Sequence, residues 1–248
     1  MSKIIVENKG DIAVLTLNNG VANAIGSELV DELSAILKEI KNEAHGLLLC
    51  GGEKFFSMGF DLPALITLKR PEMTDFLSNF HDLILDLYTI PIPSAAVLEG
   101  HAVAGGNILA IACDFRYATT QPRKMGVNEV KLGLPVPSLA DMILRQIAGD
   151  RAATRMLYSG EFVSFADAAA VGLIDAMLPP EQLRQSAMEK IAPLAALDQH
   201  AFSTIKNNRV EAIRNSYAQT GRVKDKIFID CWFSEPTQKK LAEAARKF

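Results

Sequence analysis

Apolar positions in the first fifty residues follow two different rhythms. Lys3 to Val6 and Ile12 to Leu17 are β-rich runs separated by the turn-forming cluster Asn8-Lys9-Gly10-Asp11, so the chain is expected to open with a hairpin. Ser27 then precedes Leu29, Val30, Leu33, Ile36, Leu37 and Ile40, a stripe at helical spacing with Ser27 as the expected N-cap. Gly46-Leu47-Leu48-Leu49-Cys50 is short, continuously apolar and closed by Gly51-Gly52, as in a parallel strand covered on both faces. The first unit reads strand, helix, strand.

The unit recurs. Pro71 opens a helix carrying Phe76, Phe80, Leu83, Ile84 and Leu87 on one face, and after Pro91 and Pro93 the run Ser94 to Leu98 reads as another buried strand. Gly100 and the pair Gly105-Gly106 lead into an apolar helix from about Asn107 to Ala112, followed by strand-like Phe115 to Ala118. These are β/α units in succession. Beyond Ser138, helices are expected over 138–148, 150–158 and 164–171, a strand near 174–178, and mostly helix over 181–248. The division is placed near residue 190, giving an α/β core over 1–190 and a helical region over 191–248. Within the last segment, Lys226 to Phe248, the cluster Ile227, Phe228, Ile229, Trp232 and Phe233 is expected to pack on the core or on another subunit. No fixed-period repeat or low-complexity tract interrupts the chain.

With 49% hydrophobic and 22% charged residues over 248 positions, the composition is that of a globular chain able to build a large core. The 26 basic and 29 acidic residues leave a net charge of −3 without a dominant basic run, which gives a nucleic-acid backbone little to hold. No apolar stretch reaches the ~18 residues of a membrane span, and the start lacks the apolar block of a signal peptide, so a cytoplasmic protein is expected. Cys50, Cys113 and Cys231 are odd in number and match no zinc or redox spacing, so free buried thiols are expected. His45, His81, His101 and His200 are scattered, with no pair at i, i+4, and a protein-bound metal is not expected.

Two loops lead from an apolar strand through glycine into a helix, leaving backbone N–H groups free at the helix start. They are Phe55-Phe56-Ser57-Met58-Gly59-Phe60-Asp61-Leu62 and Gly100 to Ile108. Taken singly, each reads as tight turning or close packing.

Together they say more. FFSMGFDL, then EGHAVAGGNILAIACDFRYAT and MGVNEVKLGLPVPS, resemble the crotonase superfamily of acyl-CoA enzymes nearly end to end, with support from Asn23 in VANAI, Asp61 and Cys113-Asp114-Phe115-Arg116. Within that superfamily AGGNILAIACDFR, GVNEVKLGL and WFSEPTQKKLAEAARKF are most similar to the Δ3,Δ2-enoyl-CoA isomerases. The resemblance implies an α/β crotonase spiral of repeated ββα units in roughly perpendicular sheets, a helical C-terminal trimerisation region, and a homotrimer or dimer of trimers. It also implies an acyl-CoA thioester substrate met during fatty acid β-oxidation. Its oxyanion-hole donors match the amides of Met58 and Gly105. The CoA-binding segments match Ala22 to Ala24 and Ser57 to Leu62, including Gly59 and Asp61, with Gly106 and Asn128 beside them and Phe228, Lys239 and Lys240 as C-terminal possibilities. Without a P-loop lysine pattern or a G-x-G-x-x-G fingerprint, CoA is read as the carrier of the substrate and no separate cofactor is implied.

The resemblance also sets the question of the base. Hydratases of the superfamily use two glutamates, whose matches here are Ile108 and Glu129, and Ile108 can neither ionise nor hold a water. A 1,3-proton shift needs one carboxylate, which takes a proton from C2 of a 3-enoyl thioester and returns it to C4. Glu129 is the matched acid, with Met125, Val127, Val130, Leu132 and Leu134 expected to desolvate it and raise its pKa. Asn128 reads equally as a substrate contact and as a turn-former. Asp61 is read first as the cap of the following helix, His101 as a satisfied loop histidine, and Asp141 as a minor candidate for an assisting acid. The alternatives are another crotonase enzyme (hydratase, hydrolase or decarboxylase), a non-catalytic acyl-CoA-binding homologue, and an RNA-binding scaffold that the acidic balance disfavours.

Overall fold

The structure is a computed structural model that describes residues 2–246. Lys247 and Phe248, the end of the closing motif, therefore lie outside the described residues. The chain opens with the expected hairpin of β1 (Ile4–Lys9) and β2 (Ile12–Leu17), paired antiparallel from Ile4 opposite Leu17 to Lys9 opposite Ile12. Helix α1 (Ser27–Glu43) starts after Gly26, so Ser27 is its first residue and its side chain does not cap it. Leu29, Val30, Leu33, Leu37 and Ile40 are buried, as the stripe requires.

From here the backbone spirals between two sheets. Strand β3 (Gly46–Cys50) is followed by β4 (Phe55–Ser57), then the short α2 (Leu62–Leu65) and α3 (Arg70–Thr89). Strands β5 (Ser94–Leu98) and β6 (His101–Val103) precede α4 (Gly105–Ala112), and β7 (Phe115–Thr119) and β8 (Lys124–Gly126) precede α5 (Glu129–Leu132). Each turn of the spiral thus gives its first strand to one sheet and its second to the other. After α6 (Ser138–Ser159) come β9 (Val163–Ser164), α7 (Phe165–Ala170) and β10 (Ala176–Leu178). The larger sheet has the order β1-β2-β3-β5-β7-β10 and the smaller β4-β6-β8-β9. Among the described residues only the pairs β1/β2 and β8/β9 are antiparallel. The corner between β5 and β6 must be glycine: a Cβ on Gly100 would lie 2.5 Å from the backbone of Lys54 and Phe55.

The larger sheet is buried on both faces. Ala13, Leu15, Leu47 and Leu49 face the main core with α1, α3 and α4, whereas Ile12, Val14, Leu48 and Val97 alternate to the other face. There α8 (Pro180–Ala195) covers them with Leu183, Ala187, Ile191 and Ala195. Residue 190, the expected division, lies inside this helix.

Helix α9 (Gln199–Trp232) crosses α3 and α6 and is pinned by Lys206, whose buried ammonium donates to Asp114 Oδ2 at 2.6 Å and Ile92 O at 2.9 Å. Helix α10 (Glu235–Ala245) then folds back on α2 and α5, burying Leu241 and donating from Thr237 Oγ1 to Gly133 O at 3.2 Å. The apolar terminal segment is therefore largely covered by its own chain: Phe228, Ile229 and Trp232 are buried and Ile227 is exposed. The two helices expected over 138–158 form the single span α6 with a break at Gly149. No helix among the described residues is long and apolar enough to cross a membrane.

Candidate active site

The short strands of the smaller sheet carry the two glycine loops to a common wall. Segment 22–25 runs beside 57–61: Ile25 N–H donates to Gly59 O (2.8 Å), Asp61 N–H to Ile25 O (3.0 Å) and Met58 N–H to Ala22 O (2.9 Å). Asn23 anchors this segment with φ +45°, donating from Nδ2 to Phe56 O at 3.1 Å and accepting from Asn19 N–H at 2.8 Å. Ser57, fully buried, donates to Asn23 O at 2.7 Å and accepts from Gly59 N–H at 3.1 Å.

The second loop turns at Ala104, a non-glycine residue at φ +49° that precedes the first turn of α4. Such a conformation costs about 1–3 kcal/mol and persists only where surrounding contacts impose it. Here it presents Gly105 N–H, which no intrahelical carbonyl can take. Gly59, at φ +89°, packs so closely that a Cβ would come within 2.9 Å of Ala104 Cβ and 3.1 Å of Gly105 N. The two expected donors are therefore brought side by side but are not equivalent. Gly105 N–H is free of the helix, whereas Met58 N–H is engaged by Ala22 O, because 22–25 pairs with its strand.

These loops wall a cavity of about 380 Å³, within the range of small-molecule sites. Met58, Ala104, Gly105 and Ile108 line it from the two loops and α4, Asn128, Glu129, Leu132 and Leu134 from α5 and its flanks. Phe60 and Leu62 join them, and Phe228, Trp232 and Ala244 come from α9 and α10. Phe55, His101, Val103, Lys124, Pro137 and Phe162 complete the lining.

Glu129 is the only carboxylate on this wall among the described residues. It is the first residue of α5, 7% exposed, and its Oε2 has no hydrogen-bond partner. Burial among apolar groups pushes its pKa up to about 7, against a smaller opposing effect of backbone N–H groups. Met125, Val127 and Leu134 are buried as expected, but Val130 is 44% exposed because the short helix turns it outward. Ile108, 1% exposed, lines the same cavity.

The other expected residues divide into lining and support. Leu62 and Asn128 line the cavity. Asp61 instead caps α2, accepting from Ala64 N–H at 3.2 Å. Ala24 accepts from Asn19 Nδ2 at 2.7 Å, and Gly106 packs on Ser57, where a Cβ would lie 2.3 Å from its carbonyl oxygen. Ser57, Gly59, Asp61 and Gly106 thus shape the loops without lining the cavity, and Ala22 and Ala24 lie behind them. His101 accepts from Lys124 N–H at 2.9 Å and so is satisfied, yet it also lines the site. Asp141 is paired with Arg145 at 3.1 Å and Lys239 with Glu235 at 2.7 Å, and neither lines the cavity. Phe228, expected near CoA, belongs to the apolar wall. Trp232 was expected only to pack on the core or another subunit and Ala244 was not singled out, since nothing local says that the last helices return to α2 and α5. No group of three or more His, Cys, Asp or Glu among the described residues could hold a metal.

Comparison with known proteins agrees with this architecture. A match to the family described as enoyl-CoA hydratase/isomerase spans residues 7–245. The chain is 30% identical over 214 residues to mouse "Enoyl-CoA delta isomerase 1, mitochondrial", covering 83% of this chain and 73% of that one. It is 32% identical over 189 residues to a probable enoyl-CoA hydratase of Bacillus subtilis, covering 75% and 71%. The crystal structure of human mitochondrial delta3-delta2-enoyl-CoA isomerase superposes with a TM-score of 0.94 at 26% identity, covering 99% and 98%.

Proposed function

The chain belongs to the enoyl-CoA hydratase/isomerase family and has the crotonase fold, and on that premise we propose that it converts 3-enoyl-CoA to 2-trans-enoyl-CoA in the breakdown of unsaturated fatty acids. The observation that carries this reading is the solitary buried Glu129 lining the same cavity as Gly105, where Ile108, the match to a second acid, is apolar.

In this scheme the thioester oxygen takes Gly105 N–H and displaces Ala22 O from Met58 N–H, completing a two-donor hole. Glu129 removes a proton from C2, and the electron pair of that bond delocalises into the thioester as a dienolate. The two amides stabilise the developing negative charge, an effect typically worth ~10²–10³ in rate for each donor. The protonated Glu129 then delivers the hydrogen to C4, leaving the double bond between C2 and C3. A pKa near that of the medium suits both halves of the transfer. CoA enters as part of the substrate, and no other cofactor has a step.

A hydratase reading is favoured by the names of some relatives, but water addition needs a group to orient water, and Ile108 offers none. Incubation of purified protein with 3-enoyl-CoA tests the proposal. Growth of the conjugated thioester absorbance is expected, with no consumption of added 2-enoyl-CoA by hydration. Hydration without migration of the double bond would overturn it. A homotrimer or dimer of trimers is part of the same reading, motivated by exposed Leu197, Ile205, Val223 and Ile227 in or beside α9, and a monomeric mass by light scattering would contradict it.

A further inference from the structure

Behind the wall made by Phe228 and Pro137 lies a second cavity of about 140 Å³. Phe228 and Pro137 line both it and the main cavity, so these two side chains form the partition between them. The second compartment differs in character. His81 of α3 and Asp225 of α9 line it, with His81 Nδ1 2.9 Å from Asp225 Oδ1 and Tyr217 O–H donating to Asp225 Oδ2 at 3.1 Å. Ser138, at the start of α6, lines it as well. His81 Nε2 and Ser138 Oγ are both buried without a hydrogen-bond partner, and His81 as a whole is 1% exposed.

Buried polar groups are normally paired, and a cluster of unpaired ones around a single cavity points to a guest that pairs them. Resting on the acyl-CoA reading above, we propose that this compartment is the terminal subsite of the acyl chamber, reached past Phe228, and that it selects chains ending in a hydroxyl group. A hydroxyl both donates and accepts, which suits an imidazole nitrogen and a serine oxygen together. A carboxylate is the wrong terminus. A second carboxyl group would sit beside that of Asp225, and the cation at the rim, Lys224, is exposed. Of the other charged groups on these elements, Asp141 pairs with Arg145 and Arg222 with Asp82.

The test is binding of saturated acyl-CoA thioesters, which cannot react, by calorimetry. Chains of about eight to fourteen carbons ending in methyl, hydroxyl or carboxylate are compared in the wild type, Ser138→Ala and Phe228→Trp. A neutral hydrogen bond supports a preference of about 5- to 10-fold. The expected result is that much tighter binding of a hydroxyl-ended chain than of its methyl-ended counterpart at one or two lengths. The ratio should fall towards one in Ser138→Ala, which removes an acceptor, and in Phe228→Trp, which thickens the partition. A ratio near one at every length in the wild type, meaning that the compartment holds water only, would overturn the proposal, as would preference for the carboxylate. Loss of double-bond migration in the parallel turnover assay would refute the isomerase reading alone, because the binding ratio does not depend on chemistry.

Discussion

Replacing Glu129 by Gln should cost the protein its activity and raise its stability, and the second effect should depend on pH. The carboxyl rises from an ordinary 4.5 to about 7 in the folded chain because burial penalises its charged form. Between those values the folded state keeps a proton that the unfolded chain has released, so stability falls as pH rises across the window and is level on either side. At about 1.4 kcal/mol for each tenfold change in proton affinity, the native state carries roughly 3 kcal/mol of destabilisation above pH 7. The amide of Gln, equally short of partners, gives back about 1–2 kcal/mol of the gain. The net gain of about 1–2 kcal/mol corresponds to a Tm increase of roughly 2–8 °C for a chain of this size. At about pH 5 the carboxyl's penalty has shrunk to below about 1 kcal/mol and the variant should be no more stable than the wild type. Thermal unfolding at both pH values reads this directly, alongside turnover of 3-enoyl-CoA, which should fall by ~10²–10⁴. Equal Tm shifts at the two pH values would show that Glu129 is not desolvated, and retained turnover that it is not the base.

The remaining predictions concern the same elements. The wild-type kcat/KM should rise with pH as Glu129 ionises, reach half its plateau near the value of about 7, and stay level above it; an acid limb at an ordinary carboxylate value would contradict the assignment. Gly59→Ala should lower stability by about 1–3 kcal/mol through its left-handed backbone and lower kcat by pushing Ala104 and Gly105, as urea melts and initial rates would show. Lys206→Met should cost about 3 kcal/mol, because Asp114 loses the ammonium that sits in its partly buried pocket; an unchanged urea midpoint would refute this. Burial pushes the Cys50 thiol up to about 11 and Cys113 to about 12, so a thiol reagent should label only Cys231 promptly in the native protein, and fast labelling of a second cysteine would refute the burial.

What the sequence revealed follows the lengths of its elements. The larger sheet was legible because runs such as Gly46–Cys50 and Ser94–Leu98 are five residues long and apolar throughout, and α1 and α3 show full helical stripes. The smaller sheet was not, because β4, β6 and β8 have three residues each and β9 two, too few for alternation to register. Since the candidate site stands on that sheet, periodicity alone passed over it, and the resemblance carried the reading of Met58, Gly105 and Glu129. Ser27 was displaced from the cap by Gly26, and the helix expected from Asn107 begins at Gly105 because Ala104 takes the strained turn. The engagement of Met58 N–H by Ala22 O, and the closure of the cavity by Trp232 and Ala244, depend on contacts distant in sequence that no local pattern encodes.

The return of α10 across the mouth of the fold has a consequence for how the chamber comes into being. Residues 235–245 leave the ribosome after everything they pack against, and Thr237, Leu241 and Ala244 have their partners or their place on the wall only once that stretch is free. A nascent chain can assemble both sheets before α10 closes on α2 and α5. The wall is finished only when α10 brings Ala244 to it and packs on α5, so the completed chamber waits on that helix.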